Sequence, residues 1–132
     1  PTLIVKFREI IPFPKVQKIV TDFERAIFVA VRKLFGNCIH QGCNFHWCQA
    51  ILKKIRDLKL SSAYNKKGPN PIRDFVCRLL CLAYLPSVFD GLRDSAPQEL
   101  ARLLEYMDKN WIRGRFWTPE NWSSFNLLED IC

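Results

Sequence analysis

The chain has 132 residues, of which 48% are hydrophobic and 25% charged, with a formal net charge of +7 from 20 Lys+Arg against 13 Asp+Glu. That is the size and composition of one folded domain, which excludes an intrinsically disordered chain. No apolar run approaches the roughly 18 residues of a membrane span, so a membrane partner is not expected, and the positive balance favours a polyanion such as nucleic acid or a merely solvated basic surface. The chain begins at Pro1 rather than Met, and is read as a segment of something longer. Its first residues include Lys6, Arg8 and Glu9 and do not form a secretory signal. The six cysteines are therefore expected as reduced thiols, with Cys77 and Cys81 one turn apart on an apolar helix face.

Residues 2–11 read as the tail of an element, followed by an extended connection imposed by Pro12 and Pro14. Residues 16–21 suit a short buried strand ending in Ile19-Val20. Thr21 and Glu24 have the spacing of a capping box, so a helix is predicted to start there. Its stripe is Phe23, Ala26, Ile27, Ala30, Val31 and Leu34, and Gly36 is the predicted left-handed stop. Residues 38–45 read as a second strand, giving a βαβ-like unit.

A second helix is predicted over residues 46–60, with Cys48, Ile51, Leu52, Ile55 and Leu58 inward and Lys53, Lys54, Arg56 and Lys59 outward. Residues 61–71 read as a loop. A third helix is predicted over 72–85, ended by Pro86, with a short helical turn over 88–92. A fourth, capped by a Ser95/Gln98 box, should run to about residue 111, and an aromatic tail with Phe116, Trp117, Trp122 and Phe125 follows. The sum is an α/β segment over 1–48, an all-helical insertion over 49–112 and a tail over 113–132, within one partial domain rather than two.

Asp22 is the foremost candidate for chemistry. It sits at the carboxyl end of a predicted strand, where α/β folds place their ligands, and a carboxylate there can hold Mg²⁺ or Mn²⁺. Helix capping is the commoner role at this spacing. The group Cys38, His40, Cys43, His46 and Cys48 invites zinc, but it lacks a distant matching pair. A Cys43 nucleophile with a His46 base lacks an orienting third group. A buried structural thiol with a space-filling His46 is the plainer alternative. Lys53, Lys54, Arg56 and Lys59, with Lys66 and Lys67, could contact DNA phosphates, and Arg113 and Arg115 beside Phe116 and Trp117 could form an aromatic platform.

The runs Val20-Thr21-Asp22-Phe23-Glu24-Arg25-Ala26-Ile27, Gly42-Cys43-Asn44-Phe45-His46-Trp47-Cys48-Gln49-Ala50, Leu82-Ala83-Tyr84-Leu85-Pro86 and Trp111-Ile112-Arg113-Gly114, then Trp122, occur in this order. Together they resemble the MULE (Mutator-like) transposase domain. The resemblance implies a partial RNase H-like fold, strand-helix-strand, with the all-helical insertion filling the C-terminal two thirds. It implies that Asp22 matches the second aspartate of a D-D-E triad, catalytic and metal-binding, and that Cys43 and His46 match a C-x-x-H pair near the site. The first aspartate would precede Pro1 and the glutamate would follow Cys132, and Glu120, Glu129 and Asp130 do not sit in the matching motif. Such enzymes use two Mg²⁺ (or Mn²⁺) ions for in-line phosphodiester attack, so this piece is expected to be inert alone. The implied parent acts on DNA in the nucleus, with room for a homo-oligomer. A non-catalytic DNA-binding or interaction domain derived from such a transposase is the alternative.

Overall fold

The computed structural model describes residue 6 and residues 16–124. The readings of residues 2–5 and 7–14, and those of Phe125, Glu129 and Asp130, lie outside the described residues. Two short strands, β1 (Lys18–Thr21) and β2 (Ile39–Gly42), run parallel with Ile19 opposite His40 and Thr21 opposite Gly42. Parallel neighbours need a crossover, and α1 (Arg25–Leu34) provides it. Side chains alternate across a sheet, so Ile19, Thr21, His40 and Gly42 share one face. Gly42 is required there, because a Cβ on it would lie 2.1 Å from the Phe23 ring.

Both predicted ends of α1 need correction. Thr21 does not cap the helix, because its carbonyl is held in the sheet by the Cys43 N–H at 2.7 Å. Glu24 takes the N-cap position, and the Asp22 carboxylate accepts its N–H at 3.3 Å. At the other end Gly36 is not left-handed. The helix stops at Leu34, the Phe35 N–H returns to the Val31 carbonyl, and the chain turns through Cys38 N–H to Phe35 O. Ala26 is exposed and Phe28 is half-buried, so the stripe is rotated from the predicted one.

The remainder is helical. Helix α2 (Asn44–Asp57) starts directly after β2, with Trp47, Ile51 and Ile55 buried at four-residue intervals. It ends with Lys59 in the left-handed region (φ 62°). The Leu60 N–H reaches the Ile55 carbonyl and the Lys59 N–H reaches Arg56, which is the Schellman pattern, with Lys where Gly is usual.

Residues 61–64, predicted as loop, form a helical turn, α3 (Ser61–Tyr64). Helix α4 (Pro71–Leu80) begins with Pro71 and tightens into a 3₁₀ turn over Cys81–Ala83, short of the predicted residue 85. Asn70 caps it. This side chain is 3% exposed, accepts the Arg73 N–H at 3.0 Å and donates to the Ala63, Tyr64 and Lys66 carbonyls at 2.8, 3.0 and 3.2 Å. Cys77 and Cys81 are exposed rather than on an apolar face, since Phe75, Val76 and Leu79 take the buried side.

Helix α5 (Phe89–Asp94) leads to a 3₁₀ turn over Gln98–Leu100 capped by Pro97. The Ser95 hydroxyl donates back to Leu92 O at 3.1 Å, so the Ser95/Gln98 box does not form. Helix α6 (Ala101–Met107) follows and widens into a π-turn over Asp108–Ile112, and α7 (Pro119–Trp122) closes the described chain.

One core joins α2, α4, α6 and α7, and at its centre Trp47 stacks on Trp122 with centroids 4.6 Å apart and planes 8° apart. The Trp122 indole donates to Trp111 O at 2.7 Å, and Ser123 accepts from Gln41 on β2 at 3.0 Å while its hydroxyl donates to Ala83 O at 3.2 Å. The fold is thus mixed α/β, mostly helical, with a two-stranded parallel sheet.

Two stability outcomes follow from these termini. A left-handed L-residue costs about 1–2 kcal/mol, and glycine gives back about 0.4–1 kcal/mol as unfolded-chain entropy. Lys59→Gly should therefore raise the urea midpoint, equivalent to about 0.5–1 kcal/mol, whereas Lys59→Val should lower it. Asn70→Ala removes a cap and leaves three carbonyls without their donor, so it should cost about 2 kcal/mol or more. Asn70→Asp keeps the capping acceptor but sets a carboxylate oxygen against the same three carbonyls, so it should not restore the midpoint. Equal midpoints for wild type and Asn70→Ala would contradict the pinning role.

Candidate functional site

The site is built from the carboxyl ends of the two parallel strands. Asp22 leaves β1 and Cys43 leaves β2 next to it, joined by the Cys43 N–H to Thr21 O bond of 2.7 Å. The Asp22 side chain is exposed, and its carboxylate accepts from Glu24 N–H. Cys43 is half-buried at the N-cap of α2. His46 lies in the first turn of α2, exposed, beside the exposed Phe45 ring with centroids 5.7 Å apart. It does not fill space in the interior, which removes the space-filling reading.

The histidine that is buried is His40, weighed in the sequence only as a member of a zinc group. Its ring lies 5.7 Å from Phe28 and 5.9 Å from Trp117, centroid to centroid. Its Nε2 is 2.7 Å from the Thr21 hydroxyl, which itself donates to the Asp22 carbonyl at 2.9 Å. A hydroxyl has one proton to give, so Nε2–H donates to Thr21 and Nδ1 is the bare nitrogen. Nδ1 is buried with no hydrogen-bond partner. Protonation would place a charge and an unmatched donor there. Burial first, and the Arg32 charge second, hold the pKa of His40 below its ordinary 6.5. No alternation signals its burial, because along β2 Ile39 is exposed and His40, Gln41 and Gly42 are all buried.

Zinc finds no support in this arrangement. Among the described residues no group of three or more His, Cys, Asp or Glu side chains converges on a metal position. His40 faces the aromatic side of the sheet, and Cys48 points along α2, with its thiol 3.8 Å from the side-chain amide oxygen of Asn44. Burial raises the Cys48 pKa, a backbone hydrogen bond works against this, and Cys81 adds to the rise, so Cys48 is a protonated thiol.

The basic residues divide. Lys53, Arg56 and Lys59 are exposed, whereas Lys54 is half-buried with its ammonium 4.8 Å from the centre of the Tyr106 ring. Arg113 is committed elsewhere. It makes two 3.0 Å bonds to Asp90 and a further bond to Asp108, and Arg93 joins the same two carboxylates. Only Arg115 of the predicted platform pair remains without an ion-pair partner among the described residues. No helix among the described residues is long and apolar enough to cross a membrane. Comparison with family models, with curated proteins and with solved structures finds no match to this chain.

The pH dependence of stability follows from His40. The unfolded imidazole binds its proton near 6.5 and the folded one only below that, so folding releases a proton. The stabilisation is complete above the unfolded value and is lost as pH falls through the folded value. The urea midpoint of the wild type should drop between about pH 8 and pH 5, and His40→Gln should flatten that part of the profile. Identical slopes in the two proteins would show that His40 is not held neutral.

Proposed function

We propose that this chain is the central part of a MULE-like transposase domain of RNase H-like fold, whose parent binds DNA in the nucleus. The observation that carries this reading is the pairing of Asp22 and Cys43 at the adjoining carboxyl ends of parallel strands, with His46 one turn into the following helix. Ligands of open α/β sheets lie at that edge, and the order of the sequence motifs supports the family. Asp22 is a metal ligand of the complete catalytic centre in this reading. Cys43 and His46 shape its border, and Lys53, Arg56 and Lys59 contact the DNA backbone, with Lys54 beside them.

The described residues do not by themselves make a divalent-ion site of the D-D-E kind. Asp22 offers one exposed carboxylate, and no further His, Cys, Asp or Glu pair joins it. No step through Mg²⁺ or Mn²⁺ is assigned to this chain. A DNA-binding domain derived from such a transposase and no longer catalytic is the second reading, and it would carry the same solitary carboxylate, so the two differ in the parent. A magnesium-dependent cleavage assay on the full-length parent separates the two: Asp22→Asn should abolish cleavage under the first, and equal cleavage by parent and variant rules out the role of Asp22.

DNA binding is tested on the chain itself. Each phosphate contact contributes about 0.9 to the slope of log K against log salt. Lys53→Ala and Arg56→Ala should each reduce that slope by about 0.9 on duplexes of unrelated sequence. Slopes unchanged from wild type would take the basic stripe out of the interface.

A further inference from the structure

A cleft of about 390 Å³ opens between the start of α1, the middle of α2, the π-turn and the segment before α7. Its volume lies in the range of about 300–1,000 Å³ usual for small-ligand sites. Aromatic faces dominate its walls through Phe23, Tyr106, Trp111, Phe116 and Trp117, and the charged side chains among them, Lys109 and Arg115, are both cations. Two more cations lie on the wall residues: Lys54 over Tyr106 at 4.8 Å and Arg25 over Phe116 at 4.3 Å. The Lys109 ammonium is paired with Glu105 at 2.7 Å, but both are well exposed, and such a pair is exchanged at little cost. Trp111 is the most buried residue of the lining, 4% exposed, and its indole N–H has no acceptor.

Gly114 explains how the wall is built. A Cβ there would lie 2.5 Å from the Asn110 carbonyl oxygen, so only glycine lets residues 115–117 fold back over the π-turn. Phe23 then sits edge-on between Trp111 and Trp117, with centroids 4.8 and 5.0 Å away. A planar group with an attached anion matches this combination: a ring face for the aromatic walls and a phosphate for Arg115 and Lys109. A nucleobase stacked inside a duplex offers no such face, whereas an unstacked one does.

We infer that the cleft holds an unstacked nucleotide of single-stranded DNA, its base against Tyr106 and Phe116 and its phosphate toward Arg115 and Lys109. The inference names the form of DNA and rests on the DNA-binding reading above. The test compares a dT oligonucleotide with a duplex of equal length at one salt concentration, by tryptophan fluorescence and competition. Stacking of a base on an aromatic side chain is worth about 1–3 kcal/mol, so Phe116→Leu should weaken single-strand binding about 5- to 150-fold and leave duplex binding unchanged. Arg115→Glu, at an exposed position, should weaken the single strand more than the duplex, and keeps the test valid if Phe116→Leu unfolds. Lys53→Ala should weaken both forms alike. Duplex binding with no single-strand preference, and no selective effect of either cleft variant, overturns the cleft while sparing the DNA reading. Failure to bind either form overturns both.

Discussion

The stack of Trp47 on Trp122 is the contact on which the rest depends. A two-stranded sheet is marginal by itself in water, and here it is tied to the helical layer through the turn of chain that Trp122 anchors. Gln41 reaches Ser123, Asn121 reaches the His40 carbonyl at 3.5 Å, and Ser124 and Ser123 both hold the Ala83 carbonyl. Thr118 and Asn121 close the start of that turn on each other. An aromatic pair adds only about 0.5–1.5 kcal/mol beyond its buried area. Its leverage comes from position, since Trp47 lies in the first turns of α2 directly after β2, and Asn121 and Ser123 on either side of Trp122 carry the hydrogen bonds back to the sheet.

That linkage fixes the strand ends where Asp22 and Cys43 emerge. The Cys43 N–H holds the Thr21 carbonyl, the Thr21 hydroxyl is shared with the Asp22 carbonyl and His40, and His40 is clamped by Phe28 and Trp117. The exposed carboxylate is therefore carried on a backbone whose neighbours on both sides are bonded inward. The sheet is less complete on its other face. Val20 and Ile39 are 58% and 63% exposed, and β1 has no second neighbour among the described strands. Parallel sheets are ordinarily covered on both faces.

Helices with a strong apolar period were legible from the residues, because Ile51 and Ile55, or Phe75, Val76 and Leu79, state their face through local spacing. Their ends were not. Thr21-x-x-Glu24 and Ser95-x-x-Gln98 have the right residues for capping boxes, yet strand pairing retains Thr21, and the turn after α5 draws Ser95 back to Leu92. Lys59 at a left-handed position gives no signal in its own identity; the pattern lies in the carbonyls of Ile55 and Arg56. The placement of Asp22 and Cys43 at adjoining strand ends was legible in the strand-helix-strand order. His40 was legible as a metal-type residue only, since its orphan nitrogen depends on Phe28 and Trp117, which approach from elsewhere in the chain. The Arg113 network is equally non-local, joining Asp90 to Asp108 across two helices.

Trp111-Ile112-Arg113-Gly114 shows how such a motif divides between architecture and surface. Trp111 is core, Arg113 is saturated by Asp90 and Asp108, and Gly114 is a close approach to Asn110. These roles would be needed in any protein of this fold, whatever it binds. The same partition applies to the net charge of +7. Arg93 and Arg113 are spent on carboxylates, and Arg25, Arg32 and Lys54 lie over aromatic rings of their own chain. An outside anion would have to compete with those internal partners. Lys53, Arg56 and Arg115 carry no such partner among the described residues, and neither do the exposed Lys33, Lys66, Lys67 and Arg78, so the positive potential open to a ligand includes the outer stripe of α2 and the edge of the aromatic cleft without being confined to them.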